Sequence, residues 1–338
     1  MSGEEKYLTL DALIEQDAYF AIYRLPGEQA PRFAMQTGEN ALLLNDVEEL
    51  NGQHGFVIAP FRITASSPLI LIRPDCTDLC EANTNFRNKK WGKTDTELQK
   101  KSKKSDYSLI FQRFHEPLLT GEMEKLVLSR NRTMEREEAF SPGRSFFRAT
   151  EKYPHSFVYL LHTPQSGTWL GSSPEILLAG SGNEWKTVAL AGTRYPNSGK
   201  VSWDDKNLRE QHLVTSYILK QLTSFQLAPE INGPYTIKAG ALAHLRTDFS
   251  FSLPDNRKIG TLLKALHPTP AVSGLPKEKA FEFIADHEGY DRSYYTGFLG
   301  ILDPSAETNL YVNLRCMQIG RSWLTLFAGS GLLASSTF

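Results

Sequence analysis

Leu266-His267-Pro268-Thr269-Pro270-Ala271-Val272-Ser273-Gly274-Leu275-Pro276-Lys277 carries three prolines and one glycine in twelve residues. Proline fixes φ, removes a donor and pushes the residue before it towards extended geometry. The stretch is therefore neither regular helix nor central strand. Helical patterns flank it, Lys258 to Leu266 before and Lys277 to Glu288 after, the second with Ala280, Phe281, Ile284 and Ala285 on one face. A stiff loop between two helices is either a rigid connector or a device that fixes backbone groups around a ligand. Taken alone, the connector is the weightier reading.

Composition narrows the possibilities. The chain has 338 residues, a formal net charge of −1 and 41% hydrophobic residues. A chain of this size buries roughly 75% of its unfolded surface, so a large core is available. The near-zero charge gives no reason to expect nucleic acid or membrane as partner. No apolar stretch approaches the ~20 residues of a membrane span. Met1 to Lys6 are followed by no apolar run, so no signal peptide is expected. Three cysteines, Cys76, Cys80 and Cys316, suit a reducing, cytoplasmic setting. Cys76 and Cys80 have no second pair or histidine nearby and read as structural. The basic run Arg87, Lys89, Lys90, Lys93, Lys100, Lys101, Lys103 and Lys104, with Trp91 inside it, reads as a solvated loop.

Along the rest of the chain, Leu8 to Ile14 has helical spacing, and Phe20 to Leu25, Gly55 to Phe61 and Pro68 to Ile72 read as strands. Tyr107 to Leu119 is helical, and Ser141-Pro142 opens a capped helix. Lys125-Leu-Val-Leu-Ser-Arg130 reads as a strand, with Lys125, Val127 and Ser129 on one face. A lysine there is ordinarily an edge charge. In Thr168 to Leu178, Gly171 and Pro174 break the strand and aim Glu175, which on its own is an exposed residue at a bend. Asp204 to Leu222 is a helix with the apolar stripe Leu213, Val214, Tyr217, Ile218 and Leu222. Glu210 lies on that inward stripe, where a carboxylate needs a partner or a cation. Val312-Asn-Leu-Arg315 reads as a strand with Arg315 facing away from Val312 and Leu314.

These segments together carry a family likeness. His-Pro-Thr-Pro-Ala-Val-x-Gly-x-Pro resembles the hallmark loop of isochorismate synthases. These belong to the chorismate-utilising enzymes, with salicylate synthases, anthranilate synthase component I and aminodeoxychorismate synthase component I. The last two have a Ser- or Thr-Gly-Ala-Pro-Lys core at this loop. The likeness covers about residues 120 to 338, and the motifs come in the family's order. It implies an α+β fold of two packed, mainly antiparallel sheets with outer helices, in one domain over residues 1–338.

The likeness also implies roles. Lys-[hydrophobic]-Val-Leu-Ser-Arg makes Lys125 the base that activates water; the amine-forming relatives typically have Gln there. To act, it must lose its proton near neutral pH, which needs desolvation or a nearby cation. Gly-Ser-Ser-Pro-Glu resembles Gly-Ala-Ser-Pro-Glu and makes Glu175 the general acid, kept protonated by burial, with Ser172 in place of Ala. Ala191, Gly192 and Thr193 end an Ala-Leu-Ala-Gly-Thr loop at the substrate; Ala191 stands where aminodeoxychorismate synthases carry a nucleophilic lysine. Lys206-x-x-x-Glu210-x-x-x-Val214 resembles the magnesium helix and makes Glu210 a Mg²⁺ ligand, with Asn207 where some relatives have a second acid. His244, Tyr295 and Arg315 are implied substrate contacts, Tyr295 and Arg315 for a carboxylate. Gly329 and Gly331, in Ala-Gly-Ser-Gly-Leu332, are implied backbone contacts.

One departure stands out. The sequence given stops at Phe338, before the Glu-rich helix that supplies further Mg²⁺ ligands in the family. An incomplete metal site is expected here. The implied reaction is chorismate to isochorismate, Mg²⁺-dependent. Salicylate synthesis is the alternative, and a non-catalytic chorismate binder a further one. Lys125 and Ala191 speak against amine chemistry, so no glutaminase partner is expected. With no siderophore module evident, menaquinone biosynthesis is the favoured setting.

Overall fold

The structure is a computed structural model that describes residues 1–38, 40–85, 107–196 and 201–338. The basic run from Arg87 to Lys104 lies outside the described residues.

Two antiparallel sheets form the body. The first has eight strands in the order Gly274–Leu275, Lys125–Glu135, Trp323–Leu332, Cys316–Ile319, Gly167–Ser173, Phe157–Thr163, Tyr19–Arg24 and Arg32–Gln36. The second has nine: Glu230–Ala239, Leu242–Ser252, Glu184–Arg194, Ile176–Ser181, Thr308–Val312, Phe298–Leu302, Gly55–Ala59, Leu69–Ile72 and Leu42–Leu44. Alternating side chains give each strand two faces, and each face needs a cover. Between the sheets lie aromatic residues from both, including Tyr23, Phe56, Phe157, Tyr159, Trp169 and Tyr311. Phe157 and Tyr311 stack there with centroids 4.4 Å apart.

Helices cover the outer faces. Gly3–Glu15 and Pro142–Lys152 lie on the first sheet, over Phe20, Ile22, Val158 and Leu160. Asp205–Ser224 and Ile259–Leu266 cover the second with Val214, Ile218, Leu222, Leu262 and Leu263. Tyr107–Leu119 and Lys277–His287 pack on Leu126 and Leu128 of the strand Lys125–Glu135. Asp204 caps its helix by accepting from the Asn207 N–H, and Ser141 caps its own by accepting from Arg144.

The expected α+β architecture is what forms. Three local expectations change. Gly171 lies inside the strand Gly167–Ser173, and the break falls only at Pro174 and Glu175. Glu175 is buried, 2% exposed, so it is no surface bend residue. Arg315 is not on a strand: Thr308–Val312 ends before it, and its φ of 49° is left-handed. That backbone turn, not strand alternation, sets where its side chain goes. Among the described residues no helix is long and apolar enough to cross a membrane.

Candidate active site

The proline-rich loop is built into the edge of the first sheet. Gly274 and Leu275 pair with Leu126 and Lys125, the short edge pairing that a proline-bounded segment permits. The Val127 N–H donates to the Ser273 carbonyl at 2.7 Å. A buried ion pair laces loop and strand together. Arg292 donates from Nε and Nη2 to the two oxygens of Glu288 at 2.6 and 2.7 Å, from Nη1 to the Val272 carbonyl at 2.7 Å, and from Nη2 to the Val127 carbonyl at 2.8 Å. Glu288 Oε1 also accepts from the Ser129 N–H at 2.7 Å. The loop thus fixes backbone around the site, and the connector reading falls away.

Lys125 has its predicted facing. Leu126 and Leu128 point to the helices, while Lys125, Val127 and Ser129 point between the sheets. Its ammonium is fully buried and lies 2.9 Å from Glu210 Oε1. The contact lacks hydrogen-bond alignment, and Nζ has no other bond among the described residues. Gly331, on the neighbouring strand, makes this approach possible. A Cβ there would stand 2.0 Å from Glu210 Oε1 and 3.3 Å from Lys125 Cε.

Glu175 follows the strand end at Ser173. Its N–H reaches Ser173 Oγ at 3.3 Å and its carbonyl accepts from Val312, which leaves the carboxyl facing inward. Burial pushes its pKa up to about 8; the charges of Lys125 and Arg315 and the Thr269 hydroxyl pull it back part of the way. Glu175 is therefore a carboxylic acid at neutral pH. Its Oε1, Thr269 Oγ1 and Ser273 Oγ are all buried without a well-formed hydrogen bond. Thr269 and Ser273 belong to the proline-rich loop. Buried polar groups are normally satisfied, and Thr269 brings one of these hydroxyls to the Glu175 carboxyl.

The second sheet supplies the other wall. The register of Glu184–Arg194 on Leu242–Ser252 slips between Ala191 and Thr193, with Gly192 at φ 64°. That is a β-bulge with glycine in the left-handed position. Gln211 holds it: Oε1 accepts from the Ala191 N–H at 2.9 Å, and Nε2 donates to the Ala189 carbonyl at 3.1 Å. The Ala191 methyl lies in the helix-side core. The bulge turns the Gly192 carbonyl towards His244 Nδ1, 3.1 Å away, with Thr193 Oγ1 at 3.2 Å. His244 Nε2 meets Arg315 Nη2 at 2.5 Å, and Arg315 Nη1 donates to the Ala239 carbonyl at 2.9 Å. Burial and the Arg315 charge lower the His244 pKa to about 4.

Tyr295 is buried, with its ring stacked on Phe327 at 5.1 Å. Its hydroxyl faces Gly329, where a Cβ would come within 2.9 Å. Tyr295 and Arg315 share no hydrogen bond among the described residues. The structure thus brings together Lys125, Glu210 and Gly331, sets Glu175 in the field of Lys125 and Arg315, and joins Arg315, His244, Gly192 and Thr193.

Glu210 was the expected magnesium ligand. Mg²⁺ prefers six oxygens in octahedral geometry. Among the described residues no group of three or more His, Cys, Asp or Glu is placed to hold a metal, and Glu210 faces an ammonium. These residues do not by themselves make a magnesium site.

Sequence reasoning passed over Glu288, Gln211, Thr269 and Ser273. Glu288 and Gln211 are inward carboxylate and amide residues on helical patterns, the signal it used for Glu210. Thr269 and Ser273 stood in the quoted loop without a role.

A sequence model of the family described as chorismate binding enzyme matches residues 72–338. Isochorismate synthase EntC of Escherichia coli K12 is 30% identical over 230 residues, 64% of this chain and 58% of that protein. The salicylate biosynthesis isochorismate synthase of Pseudomonas aeruginosa is 37% identical over 180 residues, 50% of this chain and 37% of its own. The aligned part thus spans little more than half of the first relative. A crystal structure of a putative 2,3-dihydroxybenzoate-specific isochorismate synthase, DhbC of Bacillus anthracis, superposes with a TM-score of 0.77 at 23% identity, over 98% of this chain and 94% of that one.

Proposed function

The chain belongs to the chorismate-binding enzymes, and from that premise we propose that it is an isochorismate synthase, converting chorismate to isochorismate. The observation that carries this is a buried carboxylic acid in the field of the buried Lys125 side chain, with Glu175 Oε1 and Lys125 Nζ each without an aligned hydrogen bond. The reaction adds water at C2, shifts the ring double bonds and expels the C4 hydroxyl. It needs a base on the water and an acid on the leaving oxygen. Lys125 takes the proton from water once it has separated from Glu210 and given up its own. Glu175 protonates the departing hydroxyl as water. Arg315 offers its remaining donors to a substrate carboxylate, in the fork geometry that suits one. Tyr295 and the backbone at Gly329 and Gly331 line the other side.

Magnesium belongs to the proposal, with Glu210 as one ligand and the remaining positions left to substrate, water or other groups. No step above is routed through it. Ala191 offers no amine nucleophile where the aminodeoxychorismate synthases carry one, which supports oxygen over nitrogen chemistry.

The test is product analysis by magnetic resonance, with chorismate, in the presence and absence of Mg²⁺. Isochorismate formed only with Mg²⁺ is the expected result. Salicylate with pyruvate would replace the proposal with the salicylate synthase reading. Tight chorismate binding with no product would favour a binding protein.

A further inference from the structure

We propose that His244 is a positioning residue that holds the Arg315 guanidinium in place as a neutral hydrogen-bond acceptor. A guanidinium donates and never accepts. Its partner nitrogen, His244 Nε2 at 2.5 Å, must therefore be the bare one. The ring hydrogen then sits on Nδ1, where the Gly192 carbonyl accepts it at 3.1 Å and Thr193 Oγ1 lies at 3.2 Å. The tautomer is thus fixed from both ends. The groups facing the imidazole are Arg315, the Gly192 carbonyl and Thr193, with no carboxylate bonded to it. Burial and the Arg315 charge keep it neutral, in agreement with the geometry.

The arrangement has a reason. Arg315 leaves the first sheet from a left-handed residue and crosses to the second, where Ala239 at the hairpin end takes Nη1 at 2.9 Å. One carbonyl leaves a long side chain free to swing. The second anchor at Nη2 removes that freedom, and it runs back through Gly192 to the bulge that Gln211 holds at Ala189 and Ala191. Rigid orientation of a binding group by a neighbour is what makes such a group effective. The role of Arg315 rests on the chorismate reading; the hydrogen-bond chain does not.

The test has two arms. Imidazole ¹⁵N resonance of the wild-type protein without substrate should show one ring in the Nδ1–H form from pH 5 to 8, lost in Arg315→Met. A proton on Nε2, or an imidazolium near neutral pH, overturns the proposal whatever the enzyme does. In kinetics, His244→Ala should raise KM for chorismate about 10–100-fold with a smaller change in kcat, the usual cost of losing a supporting partner. His244→Gln, whose amide oxygen reaches the Nε2 position, should recover most of it. A glutamine variant no better than alanine, or a loss confined to kcat, overturns the proposal. If the wild type fails to turn over chorismate, the functional reading falls, and the resonance arm alone decides this one.

Discussion

Two buried ion pairs meet at the strand Lys125–Glu135, and they are built in opposite ways. Arg292 and Glu288 are 1% and 0% exposed and bonded at both forks. The guanidinium also reaches carbonyls of Val272 and Val127, and the carboxylate takes the Ser129 N–H. Lys125 and Glu210 touch once, at 2.9 Å, without alignment. Taking charges out of water costs several kcal/mol per ion, and only excellent geometry offsets it. The first pair has that geometry and frames the proline-rich loop. The second lacks it, as a pair that has to come apart in use would.

The sharpest way to break the comparison is to remove one partner of the framing pair. Arg292→Met leaves Glu288 buried without its counter-charge, which should cost about 3–5 kcal/mol in chemical denaturation and take turnover with it. Adding Glu288→Met should restore much of the stability. An Arg292→Met protein as stable as wild type would mean the two pairs do not differ as described. Lys125→Ala tests the other pair. Turnover should fall roughly 10²–10⁴-fold, while stability falls less than in Arg292→Met. Activity close to wild type would remove Lys125 from the mechanism.

Glu175→Gln gives the next effect, and pH separates its two parts. The folded pKa, about 8, is above the ordinary 4.5, so the folded protein keeps a proton that the unfolded chain releases. The stability from that protonation is full below pH 4.5 and is lost as pH rises to 8. The glutamine variant escapes this loss. It should be inactive, yet above pH 8 more stable than wild type by roughly 1–4 kcal/mol. In the wild type, kcat/KM should fall as pH rises through about 8. A Glu175→Gln protein less stable than wild type at pH 9 would show that the site tolerates the charge.

Much of this was legible in the chain. Alternation placed Lys125, Val127 and Ser129 on one face, and helical spacing turned Glu210 inward. Both are local periodicities, which survive folding because each face must find its cover. What was not legible depends on long-range meetings. Glu210 calls for a partner, but nothing in its spacing says that Lys125, on another element, supplies it. Arg315 looked like a strand residue, because alternation does not reveal a left-handed turn imposed by tertiary packing. Gln211 beside Glu210 differs from a surface glutamine only once the bulge at Gly192 exists. The proline-rich loop was the strongest signal, since proline acts on its own neighbours, and even there the structural tie through Arg292 was invisible.

The smallest effect tests whether every unsatisfied buried group belongs to the site. Ser172 stands where the family resemblance has Ala, and its Oγ is buried without a partner, like those of Thr269 and Ser273. Its direction differs. Trp169, three residues earlier, packs between the sheets, while Leu170 and the cross-strand partner Val158 lie in the core under the helices Gly3–Glu15 and Pro142–Lys152. Alternation puts Ser172 with Leu170 and Val158, away from the space between the sheets. Its hydroxyl is then a cost without a ligand to satisfy it. Ser172→Ala should stabilise the protein by about 1 kcal/mol in denaturation and leave kcat and KM for chorismate unchanged. Thr269→Val, beside Glu175, and Ser273→Ala, on the same proline-rich loop, should instead weaken catalysis or binding. If Ser172→Ala raised KM as they do, the unsatisfied atoms would mark the site by their number and not by their direction, and the outline drawn from Thr269 and Ser273 would have to be enlarged across the first sheet.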